Sequence, residues 1–188
     1  MSITEGHELS NKWNLYLQYK DLSTNYSGNV EKLIEINTIE EFWGTINNIP
    51  NICELFSDGY HIKKIKKNNS TPCCYSFFRE EIQPFWEDPK NINGFEFSIK
   101  ENNNLMSFNN LWISSLLELI SNKSVDYNSI NGIRIVDCTK GKSLMYRLEF
   151  WFSDEKCREE MLNIIKNNFI TTKSYTFSFR IHQNMKEK

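Results

Sequence analysis

Trp86 is followed directly by two acids, Glu87 and Asp88, and the three lie between Pro84 and Pro89 in the segment 81–90. Proline fixes φ and removes a backbone donor, so the segment reads as a stiffened loop and not as the interior of a helix or strand. A flat aromatic held beside a carboxylate could stack on a planar ligand while the acid accepts hydrogen bonds from the ligand's edge. The same residues also fit a loop tryptophan folded back on the core beside two solvated acids. Other residues of useful type share a face elsewhere. In the alternating stretch 146–152, Arg147, Glu149 and Trp151 point one way and Leu148, Phe150 and Phe152 the other. Arg134 opposes Ile133 and Ile135 in the preceding stretch, and Tyr26 stands alone in a loop rich in Ser, Asn and Gly.

Catalysis finds no assembled constellation. The three histidines, His7, His61 and His182, lie in neither HxH nor HExxH spacing, and GxSxG, P-loop and GxGxxG patterns are absent. Each histidine reads as a surface or structural residue. Binding is better supplied. A planar cationic base stacks well between aromatic faces. Guanine offers two adjacent N–H donors, which match the two oxygens of one carboxylate, and phosphates need arginine or lysine close by. Two aromatics, an acid and a basic cluster together suit a methylated guanine nucleotide.

Composition narrows the setting. The 188 residues suit one domain, taken as 1–188, and carry a net charge of −2, so any nucleic-acid contact is local. Five cysteines, an odd number with an adjacent pair and no CxxC, argue against a disulfide framework or a zinc site. No apolar run is long enough to span a bilayer and no secretory signal opens the chain, which points to cytoplasm, or also nucleus, with no membrane partner.

The elements that must position these residues follow from periodicity. A polar lead over 1–12 precedes a strand with Trp13, Leu15, Leu17 and Tyr19 on one face, and Val30–Ile36 makes a second strand. Thr38 with Glu41 is a capping box that opens a helix through Ile39, Phe42, Trp43 and Ile46, ended by Pro50. An irregular stretch with Lys63, Lys64, Lys66 and Lys67 then reads as a solvated basic loop. Strands are expected over 75–78 and 95–99. Leu105–Ser121 is the longest helical pattern. Phe108, Leu111, Trp112, Leu116 and Leu119 form one stripe, and Ile113, Leu117 and Ile120 a second, either a wide core face or an exposed strip awaiting a partner. A hairpin, 132–137 with 146–152, turns around Lys140-Gly141-Lys142. Ser153, Asp154 and Glu155 open a third helix, and Tyr175–Ile181 is a final strand. Six to eight strands without a repeating βαβ order give an α+β fold, an antiparallel sheet with helices on one face. Tyr26, Trp86, Arg147 and Trp151 could all reach its other face.

The chain resembles the eukaryotic translation initiation factor 4E family, which binds the mRNA 5′ cap. The resemblance runs from about His7 to His182. It rests on His7-x-Leu9-x-Asn11-Lys12-Trp13, Ile39-Glu40-Glu41-Phe42-Trp43, Ile82-Gln83-Pro84-Phe85-Trp86-Glu87-Asp88, Leu111-Trp112 and Trp151. It implies a curved antiparallel sheet with three helices on its convex face and a cap pocket on the concave side. By the resemblance, Trp86 and Tyr26 sandwich 7-methylguanine, Glu87 reads its edge and Trp151 lies near the N7-methyl group. Asp88 falls to a loop-stabilising role. Arg147 is implied for phosphate, opposed by Arg134, or by Lys140 and Lys142 at the turn. Trp43, with His7, Ile39, Ile113, Leu117 and Ile120, is implied to form a dorsal groove for the amphipathic helix of a scaffold factor or inhibitor peptide.

The implied protein is a monomer without cofactor or catalysis. It binds capped mRNA and recruits a scaffold to promote translation; the alternatives are a repressor-type cap binder or an interaction module with weak cap affinity. Four departures bear on this. Tyr26 stands where most members carry tryptophan, Glu96 where many carry a basic residue, Glu8 where proline is usual and Ser114 where glutamate is usual. An insertion is expected within 53–71.

Overall fold

The alternating stretches fold as strands. The computed structural model describes residues 6–20, 30–56, 70–102, 104–121, 129–140, 143–154 and 175–182, with 159, 163 and 167. Among these, the strands are β1 (Glu8–Lys20), β2 (Val30–Thr38), β3 (Thr71–Arg79), β4 (Phe95–Glu101), β5 (Ile130–Asp137), β6 (Tyr146–Phe152) and β7 (Thr176–Ile181). They form one curved, antiparallel seven-stranded sheet in the order β2-β1-β3-β5-β6-β4-β7. The expected polar lead is shorter than read, because β1 begins at Glu8, which pairs with Thr38 of β2. That pairing recruits polar residues whose own pattern carries no strand signal.

Alternation sorts the side chains onto two faces. Trp13, Leu15, Phe77, Ile133, Ile135, Leu148, Phe150, Phe97 and Ile99 belong to the main core. Trp13 stacks on Phe77 with ring centroids 4.8 Å apart, and Phe95 on Phe152 at 4.7 Å. Two helices lie on this face, α1 (Ile39–Asn48) and α3 (Leu105–Ser121). Phe42 of α1 and Phe108, Trp112 and Leu116 of α3 are fully or almost fully buried. The capping box forms as read: Glu41 N–H donates to Thr38 Oγ1 (3.1 Å), and the Glu41 carboxylate accepts from Thr38 N–H (3.1 Å). In α3 the first stripe is buried, while Ile113, Leu117 and Ile120 are half-buried at the core margin.

The stretch after Pro50 is less irregular than expected. Asn51 caps a one-turn helix, α2 (Ile52–Leu55), accepting from Cys53 N–H and Glu54 N–H, and the Glu54 carboxylate accepts from Asn51 N–H. The lysine cluster at 63–67 lies outside the described residues. So does most of the helix expected from Ser153, of which Glu159, Asn163 and Asn167 are helical and exposed.

The opposite, concave face carries Asn14, Tyr16 and Gln18 from β1, Ser76 and Phe78 from β3, and Arg134 from β5. Arg147, Glu149 and Trp151 come from β6, Glu96 and Ser98 from β4, and Arg180 from β7. A small second cluster forms there from Tyr16, Phe78, Ile82 and Trp151, with Val30 and Trp86 packed on it. Gly132 is required beneath it, since a Cβ at that position would meet the Phe78 ring and the Phe77 carbonyl oxygen.

Candidate functional site

The loop between β3 and β4 carries the Trp86-Glu87 pair, and hydrogen bonds fix it more firmly than its prolines alone could. Asp88 accepts from the N–H groups of Gln83 (2.9 Å) and Lys90 (2.8 Å), which turns the chain back on itself. Asn91, fully buried, donates its side-chain N–H groups to the carbonyls of Gln83 and Phe85, both at 2.8 Å. Asn131 of β5 donates to Asn91 Oδ1 and to the Lys90 carbonyl, both at 2.9 Å. At the end of β7, His182 Nδ1 meets the Asn91 carbonyl oxygen at 2.6 Å. A carbonyl only accepts, so Nδ1 carries the proton. Burial holds the His182 imidazole below its usual pKa, which favours the neutral ring. On this support Trp86 is half-buried against the concave cluster, and Glu87 beside it is exposed.

Trp151 is the floor of the cluster, 2% exposed. Phe78 meets it edge-on at 5.4 Å, His182 lies 4.5 Å away at 51°, and the Arg134 guanidinium sits 5.2 Å over the ring. Its indole N–H donates to Glu149 Oε2 at 2.9 Å. Glu149 organises the rest. Oε1 accepts from Arg147 Nε (2.6 Å) and Nη2 (2.5 Å), and Arg134 Nη1 lies 3.6 Å from Oε2. Burial pushes the Glu149 carboxyl up, but the two arginines and the indole N–H outweigh it and hold the group below the usual carboxylate range. One strand over, Glu96 accepts twice from Arg180, from Nε at 3.0 Å and Nη2 at 2.6 Å. Burial, then the charge of Glu149, pushes Glu96 up to about 7.

Of the residues expected at the concave site, Trp86, Trp151, Arg134 and Arg147 are brought to one face, with Glu87 at its rim. Arg134 and Arg147 are not open cations; both are ion-paired to Glu149. Lys140 is exposed at the hairpin turn, where it bridges to Ser143, and Tyr26 and Lys142 lie outside the described residues. On the convex side, Ile39 and Trp43 are each 41% exposed, beside the half-buried Ile113, Leu117 and Ile120 and the exposed Ser114. His7 anchors the start of α1. Its N–H donates to Glu40 Oε2 at 2.9 Å, its Nδ1 meets Glu40 Oε1 at 2.6 Å, and that contact raises the imidazole pKa. Between α1 and the edge strand β2 opens an apolar cavity of about 620 Å³, lined by Leu33, Ile34, Gly44, Ile49, Pro50 and Tyr75 among others.

The family model of eukaryotic initiation factor 4E matches residues 8–188. The chain belongs to the eukaryotic initiation factor 4E family. Human eukaryotic translation initiation factor 4E is 27% identical over 161 residues, covering 84% of this chain and 66% of that protein. The Candida albicans factor of the same name is 33% identical over 170 residues, covering 85% and 69%. The chain thus spans about two thirds of the length of these curated relatives. Among solved structures, Ascaris suum eIF4E-3 with m7G cap superposes with a TM-score of 0.78 at 18% identity, covering 95% of this chain and 92% of that one. Schistosome eIF4E complexed with m7GpppG and 4E-BP gives 0.74 at 22%, covering 97% and 92%.

Within this 4E-family fold, the residues that sequence reasoning missed are Asn91 and Asn131, which hold the Trp86 loop together with the structural His182, and Glu149, which holds the two arginines and Trp151. The asparagines stood unremarked in a chain full of asparagine. Glu149 shared a face with Arg147 and Trp151 in the alternation, and that was the available signal. Among the described residues no helix is long and apolar enough to cross a membrane, and no group of three or more His, Cys, Asp and Glu side chains is placed to hold a metal ion.

Proposed function

We propose that the concave site binds the 7-methylguanosine cap of mRNA and that the convex surface around Trp43 recruits a scaffold or inhibitor peptide, in the cytoplasm and without catalysis. The observation that carries this reading is Trp86 held half-buried on a pinned loop with the exposed carboxylate of Glu87 beside it, above Trp151 and the arginine cluster. Trp86 stacks on the cationic base with Tyr26 as its opposite face, and Glu87 accepts the two N–H groups of the guanine edge. Trp151 lies by the methyl group. Arg147 is assigned to the phosphates, opposed by Arg134, or by Lys140 and Lys142. Family membership supports it, as do structural relatives described with cap analogues and 4E-binding proteins.

A second reading, an interaction module with weak cap affinity, draws on Glu149 and Glu96, whose carboxylates already occupy the arginines of the phosphate end. One titration separates the two. Tryptophan fluorescence is followed while 7-methylguanosine diphosphate or guanosine diphosphate is added. Strong quenching by the methylated nucleotide and little by the other is expected, and Trp86→Ala or Glu87→Ala removes most of that affinity. Equal or absent quenching by the two nucleotides overturns the cap reading.

A further inference from the structure

Two carboxylates are buried where a surface for phosphates needs positive charge. Glu96 and Glu149 are 2% and 0% exposed. They face each other diagonally across β4 and β6, since Glu96 pairs with Trp151 and Ser98 with Glu149. The charged and titratable groups around Glu96 come from every neighbouring element: Arg180 and His182 on the β7 side, Glu149 and Arg147 on β6, Arg134 on β5, and Lys100 further along β4. Among the described residues, three guanidinium groups thus share this face with the two buried carboxylates.

We propose that Glu96 sets the charge of the ligand tail this site accepts: it competes with the tail's phosphates for Arg180, so that the tail is taken up together with a proton. The inference rests on the cap-binding reading and adds a specificity-determining residue to it.

The geometry distinguishes the two carboxylates. Glu149 is held from three sides, by Arg147, Arg134 and the Trp151 indole N–H, and needs no further partner. Glu96 receives its hydrogen bonds from Arg180, among the described residues, through one oxygen. Arg180 is also the guanidinium most open to an incoming anion, its side chain 47% exposed against 25% for Arg147 and 8% for Arg134. A phosphate arriving at this end therefore meets Arg180 first, and its charge competes with Glu96 for that guanidinium. Glu96 is then left buried beside Glu149, where the neutral acid is favoured over a second unpaired anion. Burial and the Glu149 charge already hold Glu96 poised near neutrality, so the proton is available at ordinary pH. A nucleoside, which lacks the tail, takes up no such proton.

The test compares 7-methylguanosine with the cap dinucleotide m7GpppG, whose bridging phosphates do not titrate near neutrality. The base's own ionisation is common to both ligands and cancels in the ratio of their affinities. For the full chain, that ratio is expected to rise about tenfold between about pH 8.5 and about pH 6, the scale of one unit charge acting at close range. In Glu96→Gln, which keeps an acceptor for Arg180 but never ionises, the ratio is expected to be high throughout and flat. Calorimetry on the unmodified chain in two buffers of different ionisation heat gives a second readout that needs no variant. It is expected to show more proton uptake with m7GpppG than with the nucleoside, whose uptake reports the base alone. A flat ratio with equal proton uptake for the two ligands overturns the charge rule, as does a Glu96→Gln ratio equal to that of the parent and equally pH-dependent. If neither ligand quenches the tryptophans, the cap reading itself falls and this inference with it. Nucleoside binding with a flat ratio removes the charge rule alone.

Discussion

Asn91 contributes to the site although it presents no atom to solvent. Its two side-chain N–H bonds go to the carbonyls on either side of Pro84, and its own carbonyl receives the His182 ring. Trp86 is therefore placed by an amide that is itself held from β5, through Asn131, and from the end of β7, as much as by its neighbours in sequence. Such a residue is invisible to motif reasoning, because an asparagine that satisfies loop carbonyls looks like any other until the fold brings the carbonyls to it. The stiffened loop that carries Trp86 and Glu87, by contrast, was legible from its two prolines, and so was the shared face of Arg147 with Trp151. Replacing Asn91 by alanine leaves two carbonyls and the Asn131 amide short of a partner. The expected cost is about 2–4 kcal/mol of unfolding free energy. Urea denaturation measures it, and an unchanged midpoint would show that the prolines and the Asp88 hydrogen bonds hold the loop without Asn91.

At the scale of elements, adjacent residues of α1 serve opposite ends. Phe42 is fully buried, with its ring 6.4 Å from that of Phe77, and Trp43 beside it is 41% exposed. A helical step of about 100° separates core from surface here, and the apolar stripe read from the sequence placed Phe42 correctly. Phe42→Ala is expected to cost about 3–5 kcal/mol of stability. Trp43→Ala is expected to leave the denaturation midpoint almost unchanged while abolishing capture of an amphipathic scaffold-type peptide; retained capture would move the docking surface elsewhere. Much else at this scale was legible: the capping box at Thr38, the span of α3, the two arms of the β5–β6 hairpin. Strand order was not. β4 lies between β6 and β7 in the sheet, and period-two alternation says which side chains share a face but not which strand lies next. The one-turn α2 was missed because four residues carry no periodicity, although Asn51 and Glu54 spelled its cap.

For the whole molecule, the buried groups of the concave face make stability depend on pH in opposing ways. Glu149 has its folded pKa lowered, so its contribution is present above the unfolded carboxylate value and is lost as pH falls through the folded one. His182 is also lowered, but as a base: the unfolded chain takes up a proton below the imidazole's ordinary pKa while the native chain resists, so acidification destabilises. Glu96 runs the other way. Its folded pKa is raised to about 7, so the native state binds the extra proton between the ordinary glutamate value and neutrality. The stability it supplies is complete below that window and is lost as pH rises through about 7. In weakly acid solution His182 and Glu96 therefore oppose each other, and below that the Glu149 loss dominates. The three contributions separate in Glu96→Gln. The variant removes only the alkaline penalty, so its gain over the parent should be near zero at about pH 4, before Glu96 ionises in either state, and reach up to roughly 3 kcal/mol at about pH 8. Thermal or urea unfolding of the two proteins across that range measures the difference. A gain that is constant with pH would mean that glutamine improves packing or hydrogen bonding, and that Glu96 titrates alike in the folded and unfolded chain.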